Sequence, residues 1–299
     1  MSKAHPYPFH VLDVFTTTRF AGNPLAVVLN ADSMSGETMQ AVAREFNLSE
    51  TIFVMAPEND GHEARVRIFT PRYEMPFAGH PTIGCALFLA ERHWPKGKVD
   101  EVLVLEEEAG LVPVRVTRAG GPMEATFTAP VIPHPVGDEL DKAQVAAALG
   151  LSAEELGADP VHRHEGGPAF TYVPLRDIEA LGRAAPCEPQ WSGTMGTGDR
   201  DSTFLYASDG ESRYRTRMFA PHAGIAEDPA TGSASAILAS QLLASGRLNE
   251  GETRLHLTQG VEMGRRSEID VAIDVSKGQI AQVRVSGCAI RVSDGQILA

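Results

Sequence analysis

The chain reads as an α+β protein of two pseudo-symmetric domains, each a curled, mostly antiparallel sheet around one buried helix. Three observations predict this. A pair of motifs recurs half a chain apart. Each copy passes from an alternating strand through a Pro- and Gly-rich loop into a helix that is apolar or small nearly all round. Most of the remaining sequence breaks into short β-like runs.

The recurrence is specific. "RIFTP" (Arg67 to Pro71) returns as "RMFAP" (Arg217 to Pro221), 150 positions later. "HPTIGCA" (His80 to Ala86) returns as "DPATGSA" (Asp228 to Ala234), at an offset of 148. Such a repeat has to be read before any single element, because it decides the architecture. Each copy is expected to begin its helix with a Pro in the first turn, and Gly84 and Gly232 near the helix starts would allow close packing.

Along the chain, "FHVLDVF", "PLAVVL", "ETIFVM", "ARVRIF", "VLVLEEEAGLVPVRVT" and "MEATFTAP" read as strands of the first half. "RYRTRMF", "TFLYAS", "TRLHLTQG", "EIDVAIDV", "IAQVRVSG" and "AIRVSDG" serve the second. A surface helix precedes each buried one: "SGETMQAVAREFN" and "DKAQVAAALGLSAEEL". The buried helices are "PTIGCALFLAERH" and "PATGSASAILASQLLASG", the latter stopping at Ser245-Gly246. The Pro/Gly-rich stretch Ala129 to Leu140 reads as the boundary, giving domains 1–129 and 130–299, with the last strand able to return to the first.

Composition excludes several classes. The chain of 299 residues carries a net charge of -13, which argues against nucleic acid as a partner because phosphate binding needs a basic face. Cys85, Cys187 and Cys288 are scattered without a C-x-x-C pair, so neither a disulfide framework nor a structural zinc site is expected, and a reducing cytoplasm suits the chain. The opening "MSKAHPYPFHVLDVF" does not read as a signal peptide, and no window resembles a membrane span.

If two such helices present their N-termini to one cleft, their free N–H groups and positive dipole ends suit a carboxylate, or the enolate-like charge left when a proton departs beside one. His80 and Asp228, one at each helix mouth, would then be unlike halves of one acid–base site facing a small carboxylate-bearing substrate. A candidate base is Glu50 of "NLSETIFVM", placed where a helix gives way to an apolar strand, although from spacing alone an exposed strand edge is the stronger reading.

Taken together, "VFTTTRFAGNPLAVV", "NLSETIFV", "RIFTPRYEMPFAGHPTIGCA", "MFAPHAGIAEDPATGSASA" and "LTQGVEMGR" resemble the successive motifs of the phenazine-biosynthesis PhzF-like proteins, which have the diaminopimelate-epimerase-like fold. The resemblance runs from about Val14 to Arg265. It implies an isomerase, often a homodimer, without metal or organic cofactor. In the family's characterised phenazine enzyme the reaction is the isomerisation of trans-2,3-dihydro-3-hydroxyanthranilate, in which a glutamate takes a proton from one ring carbon and returns one to another; the motifs do not carry substrate identity. That glutamate matches Glu50. The family's Gly-His pair matches Gly79 and His80, its aspartate Asp228, and its Gly-Ser pair Gly232 and Ser233.

Other readings are weaker. A cofactor-independent epimerase shares the fold, but such two-base enzymes carry a cysteine at each helix mouth, whereas the mouths here hold Gly79-His80 and Glu227-Asp228. Cys85 lies inside the helix and reads as a small buried hydrophobe. "HRHE" (His162 to Glu165) reads as a loop or strand edge rather than a metal site. "GTMGTGDRD" (Gly193 to Asp201) lacks the G-K-[ST] ending of a phosphate loop and reads as a hairpin or loop. "EVLVLEEEAG" reads as an acidic surface strand end. A non-catalytic binding or scaffold protein on the same fold would have no need of Glu50, His80 and Asp228 together.

Overall fold

The computed structural model describes residues 5–196 and 201–299. In chain order its elements are β1 (Pro6–Val14), β2 (Asn23–Val28), α1 (Gly36–Phe46), β3 (Glu50–Met55), β4 (Ala64–Phe69), β5 (Glu74–Met75), α2 (Gly79–His93), β6 (Val99–Glu107), β7 (Gly110–Arg118) and β8 (Glu124–Thr128). There follow β9 (His134–Leu140), α3 (Lys142–Ala148), β10 (Val161–Glu165), β11 (Ala169–Pro174), α4 (Ile178–Arg183), α5 (Gln190–Thr194), β12 (Thr203–Ser208) and β13 (Arg213–Ala220). The last are β14 (Ile225–Asp228), α6 (Gly232–Ala244), β15 (Gly251–Gln259), β16 (Ser267–Ser276) and β17 (Gln279–Leu298). Contacts divide the chain into two compact units, Met1–Phe127 with Ser286–Ala299, and Thr128–Val285.

In the first unit the strand pairings close on themselves. β17 pairs with β1, β1 with β2, β2 with β3 in parallel, β3 with β4, β4 with β6 in parallel, β6 with β7, and β7 with β8. β8 pairs back to β17, where Thr126 and Ser286 hydroxyls lie 2.8 Å apart. Such a ring has one interior, and α2 fills it, packing on β1, β2, β3, β6 and β7. That is why a helix of such low amphipathicity is stable here: every residue from Gly79 to Ala90 is buried. Leu87, Phe88 and Leu89 alone are each worth about 1.5–3 kcal/mol of burial. Gly84 lets the helix sit this close, since a Cβ there would lie 2.6 Å from Leu25 Cδ2 and 2.7 Å from Val14 Cγ2. Outside the ring, α1 lays Met39, Val42 and Ala43 against Val28, Phe53 and Phe69.

The second unit repeats the same order of strands: β9, β10, β11, β12, β13, β15, β16 and the first part of β17. β11–β12 and β13–β15 are parallel, as are β2–β3 and β4–β6. The register repeats too: buried Thr51 stands opposite Phe69, and buried Thr203 opposite Phe219. α6 packs on β9, β10, β11 and β16. The repeated arginine has the same task in both copies. Arg67 grips Glu74 through two bonds of 2.6 Å and stands over the Phe69 ring. Arg217 grips Glu227 at 2.8 and 2.9 Å and stands over Phe219. In each case the arginine ties its strand to the segment leading to the buried helix, with the planar fork a guanidinium offers.

The structure thus has the mixed α+β, sheet-rich character expected, and it corrects several details. The stretch taken for a bare boundary contains β9 at 134–140. The helix expected over Asp141 to Leu156 ends at Ala148, because Gly150 turns the chain at φ +68°, and only a short 3-10 turn follows at Ala153–Glu155. β11, α4 and α5 were not anticipated, and the last two strands are one continuous β17. The buried helices do not start alike. α2 begins at Gly79, so Gly84 lies a turn and a half inside it; α6 begins at Gly232, after Pro229. Of Gly193 to Asp201, Gly193 and Thr194 end α5, and residues 197–200 lie outside the described residues. No helix among the described residues is long and apolar enough to cross a membrane.

Candidate functional site

In the first unit, α1 ends at Asn47 in the left-handed conformation, φ 51°, and the chain turns directly into β3 at Glu50. Glu50 is the half-buried first residue of a strand whose next five residues are all buried. His80 is the second residue of α2 and is 4% exposed. The two meet: His80 Nδ1 lies 3.1 Å from Glu50 Oε2. Burial drives the imidazole pKa down to about 3, against the opposing pull of the Pro24 backbone carbonyl. The ring is therefore neutral near pH 7, and the contact is an imidazole on a carboxylate rather than an ion pair. Nε2 of His80 is buried with no hydrogen-bond partner among the described residues.

A second acid faces the same helix. β6 alternates inward and outward at its end, so Glu106 points out and Glu107 points in. "EEE" is thus not simply a surface strand end. Glu107 is buried, accepts from Thr82 Oγ1 at 2.7 Å, and burial pushes its pKa up to about 8. Cys85, one turn further along α2, is fully buried and its thiol pKa is pushed strongly upward, so it behaves as an apolar core residue rather than a nucleophile.

In the second unit, Asp228 is not at the helix mouth proper. It closes β14, four residues before α6, and is buried. Its Oδ2 accepts from Thr231 Oγ1 at 2.5 Å. Gly232 is the first and half-buried Ser233 the second residue of α6. The structure accordingly gathers Glu50, His80 and Gly79 within one unit, and Asp228, Gly232 and Ser233 within the other.

The starts of α2 and α6 differ from those of α1, α3 and α4 in one respect. Ser35, Asp141 and Asp177 cap α1, α3 and α4 by accepting N–H bonds from Thr38, Gln144 and Ala180. Neither α2 nor α6 has a side-chain cap. At α2 the cap position is Ala78, which has no acceptor; at α6 it is Thr231, whose hydroxyl is committed to Asp228.

His164 of "HRHE" is a satisfied core residue of β10: Nδ1 lies 2.8 Å from Ser240 Oγ and Nε2 2.7 Å from Gln241 Oε1, and burial lowers its pKa to about 4. Among the described residues no group of three or more His, Cys, Asp or Glu is arranged to hold a metal ion. Reading by motif missed the Pro24 carbonyl, Thr82 with Glu107, Thr231, and Gln259. Each lies in a segment singled out by its motif ("VFTTTRFAGNPLAVV", "HPTIGCA", "EVLVLEEEAG", "DPATGSA" and "LTQGVEMGR"), but residue type alone gave none of them a task.

The chain matches the phenazine biosynthesis-like protein family over residues 12–295. It is 42% identical over 297 residues to an uncharacterized isomerase of Mesorhizobium japonicum, covering 95% of this chain and 96% of the relative. It is 35% identical over 289 residues to the trans-2,3-dihydro-3-hydroxyanthranilate isomerase of Pseudomonas aeruginosa, covering 96% and 97%. Among solved structures, a Bacillus anthracis phenazine biosynthesis protein of the PhzF family superimposes with a TM-score of 0.86 at 26% identity, over 99% of this chain and all (100%) of that one. A family match across nearly the whole length, supported by relatives of this identity and coverage, assigns the chain to the phenazine biosynthesis-like, or PhzC-PhzF, family.

Proposed function

We propose that the protein is an isomerase that moves a proton on a small carboxylate-bearing acid, with Glu50 as the proton shuttle and side chains alone as its acid–base groups. The observation that carries this reading is the Glu50–His80 pair, two unlike acid–base groups 3.1 Å apart at the start of a helix with no side-chain cap. Because His80 is neutral, it does not quench the glutamate as a cation would, and Glu50 keeps its capacity as a base. Uncapped N–H groups at the start of α2, around Gly79, suit a substrate carboxylate or an enolate-like charge, and those at the start of α6, around Gly232 and Ser233, suit an anionic group in the same way. Glu50 takes a proton from one carbon of the acid and delivers one to another carbon of the same molecule. Asp228 is proposed as a proton-handling group of the second unit. The isomerase names of relatives at 42% and 35% identity support the reaction class.

The test is Glu50→Gln, which keeps shape and removes the base. Turnover of trans-2,3-dihydro-3-hydroxyanthranilate, followed by product formation and deuterium uptake from heavy water, should fall by roughly 10²–10⁴-fold while the acid still binds. If the parent leaves this compound untouched, a panel of cyclic hydroxy and amino acids is screened for deuterium uptake. A substrate turned over by Glu50→Gln at the parent rate would refute the assignment.

A further inference from the structure

The "LTQG" segment has no part in the reading above, yet it is built into the loop that carries Asp228. Gln259, the last residue of β15, is fully buried. Its Nε2 donates to the Asp228 carbonyl at 2.8 Å and to Thr231 Oγ1 at 3.0 Å, and its Oε1 accepts the Thr231 N–H at 3.1 Å. The next residue, Gly260, holds φ +72°, and a Cβ there would lie 2.7 Å from the Pro229 carbonyl oxygen and 2.5 Å from that of Arg265. The turn after β15 is thus pressed against the Asp228–Thr231 loop, with no room for another residue.

The amide has a readable polarity. A buried carbonyl, Asp228 O, needs a donor, and a buried N–H, that of Thr231, needs an acceptor, so Gln259 can sit only one way round. In that orientation its second N–H occupies a lone pair of Thr231 Oγ1. The Thr231 hydroxyl hydrogen is then directed to Asp228 Oδ2, 2.5 Å away. Threonine would ordinarily cap the helix that follows it. Here its hydroxyl is held away from α6, which starts without a side-chain cap. Glu227, the neighbouring acid, is already paired with Arg217 and does not compete.

We infer that Gln259 is a positioning residue for Asp228, acting through a directed chain from the Gln259 amide to the Thr231 hydroxyl to the Asp228 carboxylate. The same chain leaves the N–H groups of α6 open to a ligand. Its bearing on turnover rests on the reading of Asp228 as a proton-handling group; the chain itself does not.

The test reads the carboxylate without any substrate. The full chain is labelled with [13Cγ]aspartate, the Asp228 resonance is identified by its loss in Asp228→Asn, and its titration is followed by NMR. Gln259→Met keeps length and removes the donors; Thr231→Val keeps shape and removes the hydroxyl; Thr231→Ser restores it. Loss of one donor to a carboxylate should raise its midpoint by about one pH unit, so Gln259→Met and Thr231→Val should each show that rise, and Thr231→Ser should titrate with the parent. The double variant Gln259→Met/Thr231→Val should show no more than Thr231→Val alone. Unmoved midpoints in Thr231→Val, which is the gentler change should Gln259→Met fold poorly, would overturn the inference. So would a Gln259→Met effect that adds in full to that of Thr231→Val. Turnover measured beside these titrations separates the two claims: a shifted carboxylate in a protein with no isomerase activity would remove the function and leave the chain of hydrogen bonds standing.

Discussion

Glu107 should make the protein less stable as the pH rises through neutrality, and replacing it should remove that dependence. The folded protein holds this carboxyl buried with one bond from Thr82, and burial raises its pKa from 4.5 to about 8. The unfolded chain gives up the proton near the ordinary value, so the folded state binds a proton that the unfolded state has lost. Stability from this group is full below about pH 4.5, declines as the pH rises, and is gone once the pH has passed through about 8. At about 1.4 kcal/mol per pH unit, the whole interval amounts to roughly 5 kcal/mol, and on the order of 3 kcal/mol is already lost at pH 7. Glu107→Gln cannot ionise. It carries a fixed cost of about 1–3 kcal/mol for burying an amide N–H without a partner, but that cost does not vary with pH. The informative quantity is therefore the difference between variant and parent as a function of pH. Urea unfolding at half-unit steps from pH 4.5 to 8.5 should show the variant at or below the parent at the acid end and gaining steadily on it, by roughly 4–5 kcal/mol in all. A difference that stays level across this range would refute the buried, neutral Glu107 and the inward register of β6 with it.

Three further outcomes follow from the packing. Gly84→Ala must push a methyl against Leu25 and Val14, and should cost about 1–3 kcal/mol in urea unfolding; no loss would mean that α2 shifts freely in its ring. Arg217→Ala should cost far more than Arg67→Ala, about 3–5 against about 1 kcal/mol, because the Arg217 side chain is 9% exposed and also holds the Leu181 and Ala184 carbonyls, whereas Arg67 is 34% exposed. Equal losses would contradict this. His164 is held neutral, with its pKa lowered from 6.5 to about 4, so its contribution is present above pH 6.5 and lost as the pH falls through about 4. His164→Gln should flatten that acid limb, and an unchanged limb would place the proton uptake elsewhere.

The repeat made the fold legible, and the register shows why: motif pairs such as Arg67/Arg217 mark equivalent strands in two units with the same strand order. What escaped were elements whose signal is weak. β9 is largely exposed and rich in Pro, Gly and acids, so nothing in its composition resembles a strand; pairing with β10 creates it. β11 was passed over because a six-residue apolar run is ambiguous by periodicity alone. Glu107 was misread because three consecutive glutamates look solvated, although a strand must send every second one to the other face. The site divides similarly. His80 stood out by residue type and by its place at a helix mouth, and Glu50 through the "LSET" resemblance, since its position alone suited an exposed strand edge better. Thr231 and Gln259 did not, since a threonine before a helix is an ordinary cap and a glutamine on a strand carries no chemistry of its own until its partners are known.

The two copies also show which parts of such a repeat can diverge. The arginine–glutamate grip is kept in both, because each copy must tie the strand before the loop to the loop itself, and that requirement does not depend on what the loop carries. The start of the buried helix is under no such constraint. In the first copy the helix extends back to Gly79, so that His80 is carried on the helix and reaches Glu50 from its first turn. In the second it begins only at Gly232, and Asp228 stands on a strand, needing Thr231 and Gln259 to hold the intervening loop. A residue carried on a helix needs little outside support, and one at the very end of a short strand, where a loop begins, needs more. The buried polar residues around Asp228 follow from that difference in helix length, and no counterpart of Gln259 is required beside His80, where the helix supplies the rigidity.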